Sequence, residues 1–428
     1  MCASGVLWAF EPKSSSSVRL SALAFCLAGM QTVAIPAFAT DSSESKASPA
    51  MPSSVSFEPV SFDELPGWRD DDHLAAWKAF LVSCGPTLKA GPKAAKPGSA
   101  GQPQKLLDIC ARALAIDQSG DAQTRDGARA FFETYFRPNR IAGSDNGGLL
   151  TGYFEPEIKG SRTPDETYKV PIYRRPPDLV NIVSESERGA RSSKLTHRRK
   201  TEKGLVPYLT RKQIEEGGLS SLGLEILYLK DQVDAFFMQV QGSGRIELPN
   251  GEKVRITYDG KNGYPYTSIG RLLIEAGHVA ADEMSLKTLK KWLKADEARA
   301  KPVMRKNRSY VFFKELTGEQ ASAPVGVYSI PLQPLRSLAI DTSYYAIGTP
   351  IYVDAPQIKH ATPTGAFRRL MIAHDVGSAI KGSERGDIFF GTGDKAGRLA
   401  GVTKEPGHFY ALLPLAGTQA PATASGGP

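Results

Sequence analysis

Residues 368–394 read Arg-Arg-Leu-Met-Ile-Ala-His-Asp-Val-Gly-Ser-Ala-Ile-Lys-Gly-Ser-Glu-Arg-Gly-Asp-Ile-Phe-Phe-Gly-Thr-Gly-Asp. The run Leu370 to Ala373 has the apolar character of a buried strand, and Asp375 stands just past its end. A Gly- and Ser-rich turn follows. Asp387 then directly precedes a second apolar run, Ile388-Phe389-Phe390. Glycines in the turn permit sharp bends and close backbone approach, so two carboxylates lie at strand ends joined by a tight loop. Aspartate beside a strand is most often a turn former or a cap. Here a third acid, Asp341, ends another apolar run, Ser-Leu-Ala-Ile-Asp, and aromatic and Gly-rich stretches surround all three.

Working outward, the 428 residues suffice for two or three domains, and 41% hydrophobic with 23% charged residues is ordinary globular composition. The N-terminus reads as a targeting segment, residues 1–39. Lys13 and Arg19 precede an apolar stretch, Leu20 to Ile35, too short for a comfortable membrane span, and Ala37-Phe38-Ala39 offers a cleavage site. Cleavage removes Glu11, Lys13 and Arg19 and lowers the net charge from +8 to +7. A mildly basic protein suits an acidic partner. The strongest basic run, Arg191 to Lys203, comes without a helix-turn-helix or RNA-recognition signature, so nucleic acid is not an expected partner. Cys84 and Cys110 remain after cleavage, on neighbouring predicted helices. In an oxidising compartment they can pair, or stay as buried thiols.

Along the chain, residues 40–55 are Ser- and Ala-rich and are expected to be a disordered linker. Asp71 or Asp72 can cap a helix carrying Leu74, Trp77, Leu81 and Cys84, which Pro86 should end; 86–104 reads as a flexible insertion. A second helix carries Leu106, Leu107, Cys110 and Leu114, and a third spans about Thr124 to Phe136. From Leu149 the texture turns to short apolar runs between turns. Strands are expected at Val170 to Tyr173, Ala235 to Val240 and Val254 to Tyr258. Helical spacing returns over 266–279 and 285–297. Strands resume at Tyr310 to Phe313, Ser337 to Ile340, Thr349 to Val353, Leu370 to Ala373 and Ile388 to Phe390. Residues 414–428 look like a tail. The fold class is mixed and mainly β.

The strings Arg336-Ser-Leu-Ala-Ile-Asp341, Gly348-Thr-Pro-Ile-Tyr352, Asp375-Val-Gly-Ser-Ala-Ile-Lys-Gly382 and Arg385-Gly-Asp-Ile-Phe389 resemble the membrane-bound lytic murein transglycosylase A family. So do Thr151-Gly-Tyr-Phe-Glu-Pro156, Val240-Gln-Gly-Ser-Gly-Arg245, Lys261-Asn-Gly-Tyr-Pro-Tyr-Thr-Ser-Ile-Gly270 and Asn307-Arg-Ser-Tyr-Val-Phe-Phe313. The resemblance covers about residues 56–413, in family order. It implies a double-psi β-barrel catalytic domain, named for three aspartates, built from 306–413 with an N-terminal helical part at 56–156. An inserted β domain at 157–305 is implied to face it across a groove. Peptidoglycan glycan strands are the implied substrate, with proteins of wall synthesis or division left open as partners. The implied location is the periplasm. The family's usual lipid anchor needs a small residue before the modified cysteine, but Cys26 follows Phe25, so a soluble or peripherally outer-membrane-associated protein is expected.

The implied reaction needs no cofactor. A lytic transglycosylase lets the C6 hydroxyl of N-acetylmuramic acid attack its own C1, and intramolecularity gives that nucleophile a large proximity advantage. One carboxyl can then act as acid and afterwards as base. The resemblance assigns this to Asp387, and the following Ile388, Phe389 and Phe390 would desolvate it and raise its pKa. Asp375 is the candidate neighbouring charge, and Asp341 reads as support for the barrel loops. Lys381 and Arg385 would oppose the rise if they pointed inward, and Glu384 reads as a surface residue. For sugar contacts the matched motifs offer Tyr153, Gln241, Ser243, Tyr266, Thr267 and Ser268. A metal hydrolase is disfavoured because His360, His374, Asp375 and His408 lack ligand spacing. Gly242-Ser243-Gly244 lacks the spacing of a nucleophile elbow. A non-catalytic wall-binding module and a water-using hydrolase remain the alternatives.

Overall fold

The computed structural model describes residues 55–92, 103–120, 122–142, 148–182, 195–362, 365–377 and 379–415. The expected targeting segment, residues 40–54 of the linker, 416–428 of the tail and Arg191 to Lys194 lie outside these, whereas Pro414, expected in the tail, ends the last strand.

Strand β1 (Ser56–Pro59) leads to helix α1 (His73–Ala90), which Asp72 caps by accepting the Ala75 amide at 3.1 Å. Pro86 does not end the helix. It sits inside, and Gly91, at φ +72°, closes it. A proline inside a helix forfeits one backbone bond; burial of Trp77, Phe80 and Cys84 outweighs that local loss. Residues 86–90 are therefore helical, and 93–102 of the expected insertion lie outside the described residues. Helices α2 (Pro103–Ser119) and α3 (Arg125–Tyr135) follow, and a Cys84–Cys110 disulfide joins α1 to α2. Thr124 caps α3, and Ala128, Phe131 and Phe132 face inward.

Strand β2 (Phe136–Ala142) precedes β3 (Gly148–Glu155). The chain then forms β4 (Glu157–Ser161), β5 (Val170–Tyr173), β6 (Leu179–Asn181), β7 (His197–Thr201) and β8 (Gly204–Val206). One helical turn, α4 (Arg211–Gln213), leads to β9 (Glu225–Leu229), α5 (Gln232–Gln241), β10 (Ser243–Glu247) and β11 (Lys253–Lys261). Helices α6 (Ile269–Glu275), α7 (Leu286–Lys294) and α8 (Glu297–Lys306) precede β12 (Val311–Leu316). Residues 235–240, expected as a strand, belong to α5. Asp231 caps that helix and Gly242, at φ +79°, ends it, and Ala235 through Gln241 are all buried. A continuously buried run carries no period to distinguish helix from strand. The expected helix at 285–297 is two, because Asp296 caps a new start by accepting the Arg299 amide.

Strands β13 (Ser337–Ile340), β14 (Pro350–Ala355), β15 (Phe367–Val376) and β16 (Arg385–Thr392), helix α9 (Gly393–Ala400) and β17 (Lys404–Pro414) complete the chain. The order β3–β16–β13–β15–β14–β17 closes on itself through β17–β3, giving a six-stranded barrel. The pairs β3–β16 and β13–β15 are parallel and the others antiparallel. A closed barrel leaves no free edge among its members. Leu150, Leu338, Ile351, Met371, Ile388 and Phe409 belong to its core. Tyr352, Leu370 and Ile372 instead join Trp77, Phe80 and Phe132 in the core shared with α1–α3. The Arg336 guanidinium reaches both oxygens of Asp71, at 2.8 and 2.7 Å, and fixes this helical layer to the barrel.

A second sheet has the order β12–β11–β10–β4–β9–β5, with Leu227, Met238, Ile246, Ile256 and Phe313 in its core. Strands β6–β7–β8 form a small third sheet. The chain leaves the barrel at the end of β3 and returns at β13, so everything in the second sheet is inserted between two barrel strands.

Candidate active site

Four barrel strands carry the candidate site. On β13, Ala339 is in register with Asp375 of β15 on one side and with Asp387 of β16 on the other. On the far side of β16, Asp387 is in register with Thr151 of β3. A row Asp375–Ala339–Asp387–Thr151 therefore crosses four strands. Neighbouring strands lie about 4.8 Å apart, and Ala339 between the two aspartates packs in a small buried cluster with Tyr153, Leu332, Ile380 and Phe389.

Asp387 is fully buried. Its Oδ1 accepts the Thr151 hydroxyl at 2.6 Å, and its Oδ2 has no hydrogen-bond partner among the described residues. Burial pushes its pKa up to about 6, and the charge of Asp375 adds to the rise; Arg385 and the Thr151 hydroxyl oppose it. Arg385 does point inward. Its Nη2 donates to Thr151 Oγ1 at 2.9 Å, and its Nη1 donates to the carbonyls of Leu149, at 3.2 Å, and Gly386. Thr151 thus stands between guanidinium and acid, accepting from one and donating to the other.

Asp375 is also fully buried. It accepts the Tyr153 hydroxyl at 3.0 Å and the Val376 amide at 2.8 Å. The Tyr153 ring packs on Phe389 with centroids 5.2 Å apart. Asp341 stands at the loop beyond β13 and holds it: Oδ1 accepts the Ser343 amide at 2.9 Å and Oδ2 the Gly382 amide at 3.1 Å, with Lys381 Nζ 4.0 Å away. His374 is the extra residue of a bulge in β15, where Leu338 pairs with Ala373 and Ala339 with Asp375. Its Nδ1 lies 2.7 Å from Ser337 Oγ, and burial pushes its pKa down to about 3.

The sugar-contact candidates divide. Tyr153 belongs to the aspartate row. Gln241 ties the end of α5 to β3 by accepting the Phe154 amide at 3.2 Å, and Ser243 is buried at the start of β10. Ser268 caps α6, and the Thr267 amide donates to Asn307 Oδ1 at 3.2 Å. The Tyr266 hydroxyl is buried without a hydrogen-bond partner among the described residues. Glu384, read from sequence as a surface residue, is buried. Its carboxylate accepts the Phe409 amide at 3.0 Å, a partner 25 residues away that its own turn does not announce.

Two features escaped the sequence reading. Thr151 is a buried polar residue in an apolar strand, two positions from Tyr153 and so on the same face; that alternation was the available signal. Glu155, two positions further, is fully buried and paired with Arg255 of β11 at 2.7 and 3.1 Å, and it also accepts the Thr392 hydroxyl at 2.7 Å. This pair fastens the second sheet to the strand that carries Thr151 and Tyr153. Among the described residues, no group of three or more His, Cys, Asp or Glu side chains is arranged to hold a metal ion.

A desolvated carboxyl poised near neutrality, with a second carboxylate in the same row, is an arrangement suited to acid–base chemistry on a closed barrel. The family model described as "MltA specific insert domain" matches residues 149–314, and that described as "3D domain" matches 336–413. Membrane-bound lytic murein transglycosylase A of Vibrio cholerae is 37% identical over 290 residues, covering 66% of this chain and 70% of the relative. The crystal structure of a membrane-bound lytic murein transglycosylase from Agrobacterium tumefaciens superposes with a TM-score of 0.73 at 36% identity, over 84% of this chain and 98% of that one. The E. coli MltA structure with bound chitohexaose gives a TM-score of 0.55 at 29% identity, over 73% and 86%. The chain belongs to the membrane-bound lytic murein transglycosylase A family.

Proposed function

We propose that this protein is a lytic transglycosylase that cleaves the β-1,4 bond between N-acetylmuramic acid and N-acetylglucosamine in peptidoglycan, with Asp387 as the single acid and base. The observation that carries the mechanism is the Asp387 carboxyl itself, buried, held near a pKa of about 6, with Oδ2 unpartnered among the described residues. Oδ2–H donates its proton to the glycosidic oxygen as the C1–O bond breaks. The C6 hydroxyl of the same muramic acid then closes on C1 and returns its proton to the Asp387 carboxylate. The acid is regenerated, no water is consumed, and the product ends in a 1,6-anhydro ring. Asp375 supplies negative charge beside the developing oxocarbenium centre, and Tyr153 orients it. Asp341 shapes the loop that borders the row.

In this reading 56–156 and the chain after β12 to 413 form the catalytic body, and the insert runs from 157 past the expected boundary at 305 to the end of β12 (Val311–Leu316), which pairs in the second sheet. Gln241, Ser243, Tyr266, Thr267 and Ser268 line the glycan path between them; the unpaired Tyr266 hydroxyl supports a sugar hydroxyl as its partner. The enzyme works in the periplasm, peripherally associated with the outer membrane. Relatives are named membrane-bound, and no helix among the described residues is long and apolar enough to cross a membrane.

The test is mass spectrometry of the soluble products released from purified peptidoglycan by wild type, Asp387→Asn and Asp375→Asn. Anhydromuropeptides from wild type and none from Asp387→Asn are expected. Reducing-end products would make the enzyme a hydrolase that uses water. Retention on the glycan without product would leave a binding module. Turnover by Asp387→Asn with none by Asp375→Asn would exchange the two roles.

A further inference from the structure

On the other face of β3 the chain builds a second feature that the acid chemistry does not use. Thr151, Tyr153 and Glu155 face the row of aspartates and Arg255. Phe154 faces the opposite way, against α9, so closely that a Cβ on Gly397 would stand 2.7 Å from its ring. Beside it opens a groove of about 740 Å³ between α7, β4 and α9. Its floor is apolar, made by Phe154, Leu286 and Val402, the last 57% exposed. Its walls carry six cations. Lys290 and Lys294 are engaged with Asp234, at 3.5 and 2.6 Å. Glu157, also on the lining, is taken by Arg245 and Lys253, and Asp394, exposed on α9 one turn before Arg398, is the third acid of the lining. Lys159, Lys287, Lys291 and Arg398 make no ion pair among the described residues, and all four are exposed.

Free cations above an apolar floor fit an anionic ligand with small apolar groups. A phosphate site would converge its donors on one point; here the cations are spread over two helices and a strand, as suits several separated carboxylates. From this we infer that the groove binds the peptide arm of the peptidoglycan substrate, whose carboxylates meet Lys159, Lys287, Lys291 and Arg398 and whose alanine methyls lie on Phe154 and Val402. The inference rests on the reading of the chain as a peptidoglycan-cleaving enzyme. Pro156 and Glu157, at the exit of β3, line the same groove, about 17 Å along the strand from Thr151; a peptide of four or five residues extends up to roughly 17 Å, so it is the far end of the arm that reaches the groove from a glycan held at the acid.

The experiment compares the full chain with Lys287→Glu/Lys291→Glu/Arg398→Glu on two substrates: glycan strands bearing their peptides, and the same strands stripped by an amidase. The triple variant should raise KM on peptide-bearing strands about tenfold and leave kcat/KM on stripped strands unchanged. Binding of a fluorescently labelled stem peptide, followed by anisotropy, should weaken by a similar factor in the variant and recover in Lys287→Arg/Lys291→Arg/Arg398→Lys. Equal loss on both substrates, or no loss on either, overturns the inference. So does equally tight binding of an oligoglutamate of the same charge, which would reduce the groove to a plain basic surface. Should wild type cut neither substrate, the enzymatic reading fails, and the anisotropy measurement still decides the fate of the groove.

Discussion

Replacing Thr151 by valine keeps the shape of the side chain and removes only its hydroxyl. That hydroxyl donates to Asp387 Oδ1 at 2.6 Å and accepts from Arg385 Nη2 at 2.9 Å. A hydrogen bond to an ionised acceptor is worth roughly 1.5–3 kcal/mol net, and 1.36 kcal/mol corresponds to one pH unit. Without the bond the ionised form of Asp387 loses that support, so its pKa should move from about 6 to roughly 7–8. The acid is active when protonated, so kcat/KM falls as pH rises through the pKa of the free enzyme. The basic limb of the pH profile should therefore shift upward by about 1–2 pH units in Thr151→Val and stay in place in Thr151→Ser, which keeps the donor. At pH 8 the wild type would be only about one per cent protonated, while the variant would retain roughly a tenth to a half of its acid. The assay is release of anhydro product from pH 4 to 9, run well below the melting temperature, because Arg385 loses an acceptor at a cost of about 1–3 kcal/mol. An unmoved limb, or one displaced downward, would refute the claim that Asp387 gives the proton and that Thr151 sets how tightly it is held.

Asp387→Asn should stabilise the fold at neutral pH while abolishing turnover. The folded pKa, about 6, lies above the ordinary 3.8, so the folded state binds this proton more tightly than the unfolded one. Ionisation then costs stability progressively from about pH 4 to pH 6, reaching roughly 3 kcal/mol above that window. Urea unfolding should show the asparagine variant ahead by up to that amount at pH 7.5 and level with wild type below pH 4; equal stability at both would mean the carboxyl is not desolvated. Arg336→Met should cost roughly 3–5 kcal/mol, because it strands the buried Asp71 carboxylate. Burial alone would raise the Asp71 pKa; Arg336 and the Leu370 amide more than reverse this and hold it below its usual range. The contribution of the pair is thus complete above the ordinary carboxylate pKa and lost as pH falls through the depressed one. A urea midpoint for Arg336→Met that shows no loss at pH 7 would deny the pair any role in docking the helices.

What the sequence disclosed was local. Asp387 before three bulky apolar residues announces its own burial, and the apolar cores of β13 to β16 stand out between turn residues, whereas β17 (Lys404–Pro414) opens on polar residues and is absent from the expected strands. What stayed hidden was set by partners far along the chain. Helix α5 is buried on all sides, so Ala235 to Val240 have no polar face to reveal their period. Pro86 is a local stop signal that packing of α1 overrides. Glu384 lies in a Gly- and Ser-rich turn that looks solvated, yet Phe409 comes back to claim its carboxylate.

The row itself is the clearest case of non-local design. Its residues come from β15, β13, β16 and β3, and Thr151 and Asp387 are 236 positions apart. No pattern within any one strand states that Ala339 will stand between two aspartates, or that a small side chain there keeps their charges within reach of each other. The long separation has its own consequence. Between β3 and β13 the chain inserts the second sheet, so that sheet is tethered at the very strand that supplies Thr151 and Tyr153. Glu155, on the same face, receives Arg255 from the insert and Thr392 from β16. One buried carboxylate therefore pins three things together: the strand that tunes the acid, the strand that carries it, and the domain that would hold the other side of a glycan. A shift of the insert must break that ion pair or drag β3 with it, so in the proposed mechanism the alignment of glycan and proton donor would rest on the same strand that bonds to the Asp387 carboxyl.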